Sequence, residues 1–258
     1  MNYNKAQKYF ENFINENYDV NDKKVSRKIK NTYNVVKIVK DLCEYMKLDE
    51  LNTELAMIIA LIHDIGRFDQ AKIMKSFRED ITNFDHASLG VKILFEKGEI
   101  VNYVDNKTYY PIIEKAIANH SKYILDETGM TDVEILHCKI IRDADKIDSF
   151  RNKLTDDIYT IANITKEEVE NSKVTEKVYN TFKEHKTIFS KDRQTGLDIW
   201  VSYIALIFGL EFKRSYELIN EKDYLNKLFN RFDYKVDKVT MDELKEYAFD
   251  YLNNKLNQ

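Results

Sequence analysis

The sequence predicts an all-α protein: a helical bundle over residues 1–165, with a helical extension over 166–258 packed on it as a single compact unit. Three observations predict this. One proline, Pro111, and six glycines in 258 residues leave few helix breakers. Apolar residues recur at helical spacing in segment after segment. The chain is 43% hydrophobic and 33% charged, enough apolar surface for one large core, and no repeat, low-complexity tract or flexible linker interrupts it.

In chain order, Tyr9, Phe10, Phe13 and Ile14 define an opening amphipathic helix, and the polar stretch Asn15–Lys24 reads as a connection. A longer helix over about Ser26–Lys47 carries Ile29, Tyr33, Val36, Val39 and Cys43 on one face, with Asn31 and Thr32 near its start. Asp49–Asn52 breaks it. Thr53 and Glu54 are expected to open the next helix, an apolar run that delivers His63-Asp64, with Gly66 letting the backbone leave the helix. Phe68–Asn83 is expected to be a connection with a single helical turn. Asp85 is a natural N-cap for a helix through Val91, Ile93, Leu94 and Phe95, which Gly98 ends. Pro111 fits the first turn of a helix closing on Asn119-His120. From about Asp132 a helix runs through Arg142-Asp143-Ala144-Asp145-Lys146-Ile147-Asp148. Beyond it, the capping box Thr165-Lys166-Glu167-Glu168 opens the extension, with helices expected near 166–187, 196–210, 213–220 and 240–256.

Composition excludes some classes of partner. A net charge of −4 opposes general nucleic-acid or anionic-membrane binding, while allowing a local basic pocket. Cys43 and Cys138 lack metal-type spacing and fit core packing in a reducing cytoplasm, the expected location. Met1–Ala6 has no apolar leader run, and Ile199–Leu210 is too short to span a bilayer.

The chemistry gathers at helix ends. Burying His63 and Asp64 after so apolar a run is costly without a partner, and a metal ion suits both side chains. In order, the candidate ligands are Asn31, His63, Asp64, His86, His120 and Asp145. His137 and His185, in ordinary surroundings, are set aside. This ordered set resembles the HD superfamily of metal-dependent phosphohydrolases over about residues 26–150. His63-Asp64 matches the hallmark doublet and Asp145 the distant aspartate. His86 and His120 match the extra histidines of members that hold two metals. The resemblance implies an HD-domain helical bundle, two divalent ions (Mn, Fe, Zn, Ni or Mg) and a small phosphorylated substrate, most simply a nucleotide. A homo-oligomer is compatible with it.

One departure stands out: the family's first histidine falls at Asn31. An amide oxygen is a poorer ligand than imidazole for a transition metal. A weakened metal site, a copy of reduced activity and an engineered substitution that traps substrate all remain open. On the family's pattern Asp64 bridges two ions, His63, Asp145 and Asn31 complete one site, and His86 and His120 hold the other. A metal-held hydroxide then attacks phosphorus. Lys146, Arg142 and Arg67 are the candidate phosphate contacts, with Asp64, Lys146 and Arg67 the catalytic set. Their alternative is salt bridging, with Arg142 and Lys146 on Asp148 and Asp143. Asp143 and Asp85 are expected to support or cap. Two other functions compete: a metal- or nucleotide-binding sensor with slow turnover, and two-iron oxygenase chemistry, which the basic groups disfavour.

Overall fold

The structure, a computed structural model, describes residues 1–73 and 84–258, and no strand occurs among them. The chain divides into two compact units, Met1–Asp145 and Lys146–Gln258. The boundary expected from the sequence lay at 165/166. The division falls within one helix, because Asp132–Thr155 runs through it unbroken.

In the first unit, α1 (Tyr3–Asn17) buries Ala6, Phe10 and Ile14. The second helix, α2 (Lys23–Tyr45), starts earlier than Ser26 because Asp22 caps it, accepting from the backbone N–H groups of Lys24 and Val25. It buries Val35, Val36, Val39, Leu42 and Cys43, and Asn31 and Thr32 with them. The third, α3 (Glu50–Ile62), begins at Asp49 rather than at Thr53. Asp49 accepts from the Asn52 backbone N–H at 2.7 Å, a bond worth about 1 kcal/mol, and so takes the cap. From Leu55 to Ile62 every residue of α3 but Met57 is buried, the pattern of a helix covered on nearly all sides. It packs against α1 and α2.

After the two-residue joint His63-Asp64 the chain turns into α4 (Ile65–Ile73), where a loose connection was expected. Phe68 is fully buried there against Phe10 and Tyr18, and this packing holds a segment whose polarity reads as a loop. The rest of that expected connection, 74–83, lies outside the described residues. Gly66 does not end a helix. It lies inside α4, and its φ is not positive. A Cβ there would stand 2.3 Å from the His86 carbonyl oxygen and 2.9 Å from the Gly90 nitrogen, so the glycine permits a backbone-close crossing with α5 (His86–Val91). Asp85 caps α5 as expected, and a π turn, Lys92–Glu96, continues it to Gly98 at φ +82°. The sixth helix, α6 (Tyr110–Asn119), has Pro111 in its first turn, and α7 (Asp132–Thr155) follows. Both cysteines are buried and free, and burial pushes their thiols up, to about 12 for Cys43 and about 11 for Cys138.

The second unit is built on Trp200, fully buried, whose Nε1 donates to the Tyr234 hydroxyl at 3.1 Å. The Thr165–Glu168 capping box forms, but the helix it opens stops at Glu170 and a new one spans Glu176–Lys183. Buried Asp198 accounts for the break. It accepts from the Thr175 backbone N–H and hydroxyl and from the Gln194 N–H, fixing the chain between those helices. Gly196–Ile204, Lys213–Glu221 and Lys238–Asn257 follow close to expectation. Short helices at Ile158–Ala162 and Tyr224–Phe229 were not foreseen.

Candidate metal centre

Helix ends in the first unit deliver most of the cluster, and the interior of a helix delivers Asp145. His63 and Asp64 form the joint between α3 and α4, His86 begins α5, His120 follows α6, and Asp145 lies on α7. Two of the histidines are fixed by one device. His63 Nδ1 sits 2.7 Å from the Ala60 carbonyl, and His120 Nδ1 2.7 Å from the Ile117 carbonyl. Each carbonyl accepts a hydrogen bond from Nδ1–H, which leaves the lone pair on Nε2, the atom facing the cluster.

Asp64 stands at the centre. Its Oδ1 lies 3.2 Å from His86 Nε2 and 3.5 Å from His120 Nε2, and those two ring nitrogens are 2.8 Å apart. Its Oδ2 lies 3.6 Å from His63 Nε2, which in turn is 3.8 Å from Asp145 Oδ1. His63, Asp64 and His120 offer donor atoms all within 4.8 Å of one another. The Asp64 and histidine side chains are at most 8% exposed, whereas that of Asp145 is 42% exposed, so the cluster meets solvent on the Asp145 side.

Two cations lie against the cluster. Lys28, on α2, places Nζ 2.7 Å from Asp64 Oδ2, with both side chains largely buried. Arg67 Nε is 3.6 Å from Asp64 Oδ1, and its NH1 donates to Gln70 at 2.6 Å. The charges follow this layout. Burial opposes ionisation of Asp64, but Lys28 and then His63 hold its carboxyl well below the usual carboxylate range. Burial also opposes protonation of His63, yet facing Asp64 and Asp145 it is raised. Burial, with repulsion from His86 and His63, lowers His120. Asp145 is pulled down by His63 against the cost of its burial.

The donor set fits a divalent ion. His63 Nε2 is buried with no hydrogen-bond partner among the described residues, and two more imidazole nitrogens and two carboxylates converge around it.

Of the residues expected from sequence, His63, Asp64, His86, His120 and Asp145 come together, and Arg67 joins them. Asn31 is buried on α2, three residues after Lys28 and so on the same helix face. Arg142 has a different task. Its NH1 donates to the carbonyls of Asn119 at 2.6 Å and Lys122 at 2.7 Å, holding the chain on either side of His120. Asp148 binds Arg151 at 2.6 Å. Asp143 is fully buried. Lys146 belongs to the second unit, where the missing side chain of Gly209 leaves room for it: a Cβ there would meet Lys146 Cε at 3.3 Å. His137 is buried on α7 beside Asn52, outside the donor cluster, and His185 is exposed among aromatic rings in the second unit. Lys28 is the residue that sequence reasoning missed. Its signal was its place one turn before Asn31, on the face already assigned to the site.

Comparison with known proteins agrees with this geometry. The family model for the HD domain matches residues 29–149. No curated protein and no solved structure matches the chain.

Proposed function

Because residues 29–149 are an HD domain and the chain so belongs to the HD-domain superfamily, generally metal-dependent phosphohydrolases, we propose that it hydrolyses a phosphoester or phosphoanhydride bond of a nucleotide-type small molecule. The observation that carries the reading is the convergence of His63, His86 and His120 on the single carboxylate of Asp64, with Asp145 at the solvent side.

Asp64, His63, His86, His120 and Asp145 would hold the divalent ion. When bound, such an ion supplies Lewis acidity, polarising a phosphoryl oxygen and making water acidic enough to attack phosphorus near neutral pH. The protein supplies position and charge. The Ala60 and Ile117 carbonyls keep the Nε2 lone pairs of His63 and His120 aimed inward. Arg142 fixes the chain around His120. Asp145, being the most open member, stands where a substrate would enter. Arg67 beside Asp64 and Lys146 beside Asp145 in sequence are our candidates to meet phosphoryl oxygens, a task suited to cations. Arg142 is left out because its guanidinium is committed to carbonyls. The negative net charge goes with a small phosphorylated ligand rather than a nucleic acid. Among the described residues no helix is long and apolar enough to cross a membrane, and we place the protein in the cytoplasm.

Asn31 favours a second reading, a metal- or nucleotide-binding sensor with little turnover. One experiment separates them. Purified protein is stripped with chelator, reloaded with Mn²⁺, Zn²⁺ or Fe²⁺, and assayed for phosphate release on a panel of nucleotides. Turnover that disappears with chelation and returns with metal is expected. Asp64→Ala should lose bound metal and turnover together, by at least about 10²-fold in rate. Tight nucleotide binding with no release supports the sensor. Full metal content in Asp64→Ala overturns the ligand assignment.

A further inference from the structure

The two oxygens of the Asp64 carboxylate meet different neighbours. Oδ1 faces His86 at 3.2 Å and His120 at 3.5 Å, with Arg67 Nε at 3.6 Å. Oδ2 faces an ammonium, Lys28 Nζ at 2.7 Å, with His63 farther off at 3.6 Å. Lys28 reaches it from α2, the helix on which Asn31 stands one turn further along. The two departures from a symmetrical two-ion site thus share one helix face, and Lys28 bears on Oδ2. Where an imidazole would donate a lone pair to a cation, an amide stands. Close by, a side chain supplies a cation of its own.

We infer that the Lys28 ammonium is a built-in substitute for one of the two divalent ions, so that this chain binds a single ion, through the donor set of Asp64, His63, His86, His120 and Asp145. The inference rests on the proposed metal reading of the cluster. Its physical basis is competition for Oδ2. An ammonium at 2.7 Å takes the lone pair that a bridging ion needs. A divalent ion placed there would also meet the ammonium at close range in a poorly solvated site, where like charges repel strongly. The Lys28 side chain is 14% exposed and that of Asp64 8%, so moving the lysine to solvent would cost the shortest contact of a buried carboxylate. Lys28 is thus a positioning and charge-compensating residue. It also explains how the site tolerates Asn31, since an ion that is never bound there needs no imidazole.

Mn²⁺ titration of chelator-treated protein tests this, with ions per chain counted by calorimetry and by elemental analysis of the dialysed complex. The native chain is expected to saturate at one ion. Lys28→Met is expected to take a second, and Asn31→His alone, which keeps the lysine, to stay at one. Without metal, Lys28→Met should melt lower by roughly 10 °C, because Asp64 loses its partner, and Mn²⁺ should restore most of that loss. Lys28→Arg, which keeps the positive charge, should still take only one ion, and it tests the idea even if Lys28→Met does not fold. Two ions in the native chain overturn the inference while leaving the metal reading intact. So does a Lys28→Met protein that saturates at one ion with unchanged affinity. An absence of Mn²⁺ binding in every variant overturns the metal reading and this inference together.

Discussion

A histidine at the metal cluster and a histidine in the core differ in what their ring nitrogens meet. His63 and His120 donate a hydrogen bond from Nδ1–H to a carbonyl of their own helix and aim Nε2 at Asp64. His137 directs Nε2 at Asn52 Oδ1, 3.2 Å away, and its Nδ1 is buried without a partner among the described residues. Burial, against a smaller opposing pull from Asp49, depresses its pKa to about 4. The folded His137 is therefore neutral where the unfolded one, titrating near 6.5, is already protonated. The stability this gives is fully present above about pH 6.5 and is lost as pH falls toward 4, on the order of 3 kcal/mol in all. His137→Gln should flatten the fall in urea-unfolding stability over that window relative to the native protein. Parallel pH profiles for the two would show that His137 is not held neutral. The sequence set His137 aside as a non-ligand, and the fold buries it in the core.

Among the elements, the contact of α4 with α5 decides whether His86 reaches Asp64. Gly66 and Gly90 face each other across it. The Gly66 site is so tight that an added Cβ would fall 2.3 Å from the His86 carbonyl oxygen. The obstructing atoms are backbone and cannot swing aside. Gly66→Ala should cost about 1–3 kcal/mol, read from thermal or urea unfolding, and should weaken metal affinity too, because the displaced backbone carries His86. A variant with native stability and affinity would mean that the helices separate easily here. Helix starts were legible at some caps, as at Asp85 and Thr165, and missed at others, as at Asp22 and Asp157. They were misread where two candidates competed, as at Asp49 and Thr53. The α4 helix was missed because burial of Phe68, a tertiary event, outweighs its local polarity.

At the scale of the whole molecule, the division at 145/146 puts Asp145 and Lys146, adjacent in sequence, in different compact units. Lys146 is supported there by the space that Gly209 leaves. If Lys146 meets substrate phosphate, Lys146→Ala should lower turnover by roughly 10- to 100-fold with metal content unchanged, a loss of about 1.4–2.8 kcal/mol of transition-state stabilisation. Unchanged kinetics would assign the lysine to packing in the second unit. Reduced metal content would place it with the ligands.

By itself the sequence determined the helical class and five of the side chains that meet at the site, His63, Asp64, His86, His120 and Asp145. Helical periodicity and capping are local, and an ordered set of ligands survives as a pattern in one dimension. Only the tertiary structure decided the rest. Gly66 permits a helix crossing rather than a helix end, Arg142 donates to the carbonyls around His120, and Lys28 stands against Asp64. Each of these depends on which atoms come within a few ångströms across separate helices, and neither residue type nor spacing along the chain encodes that distance.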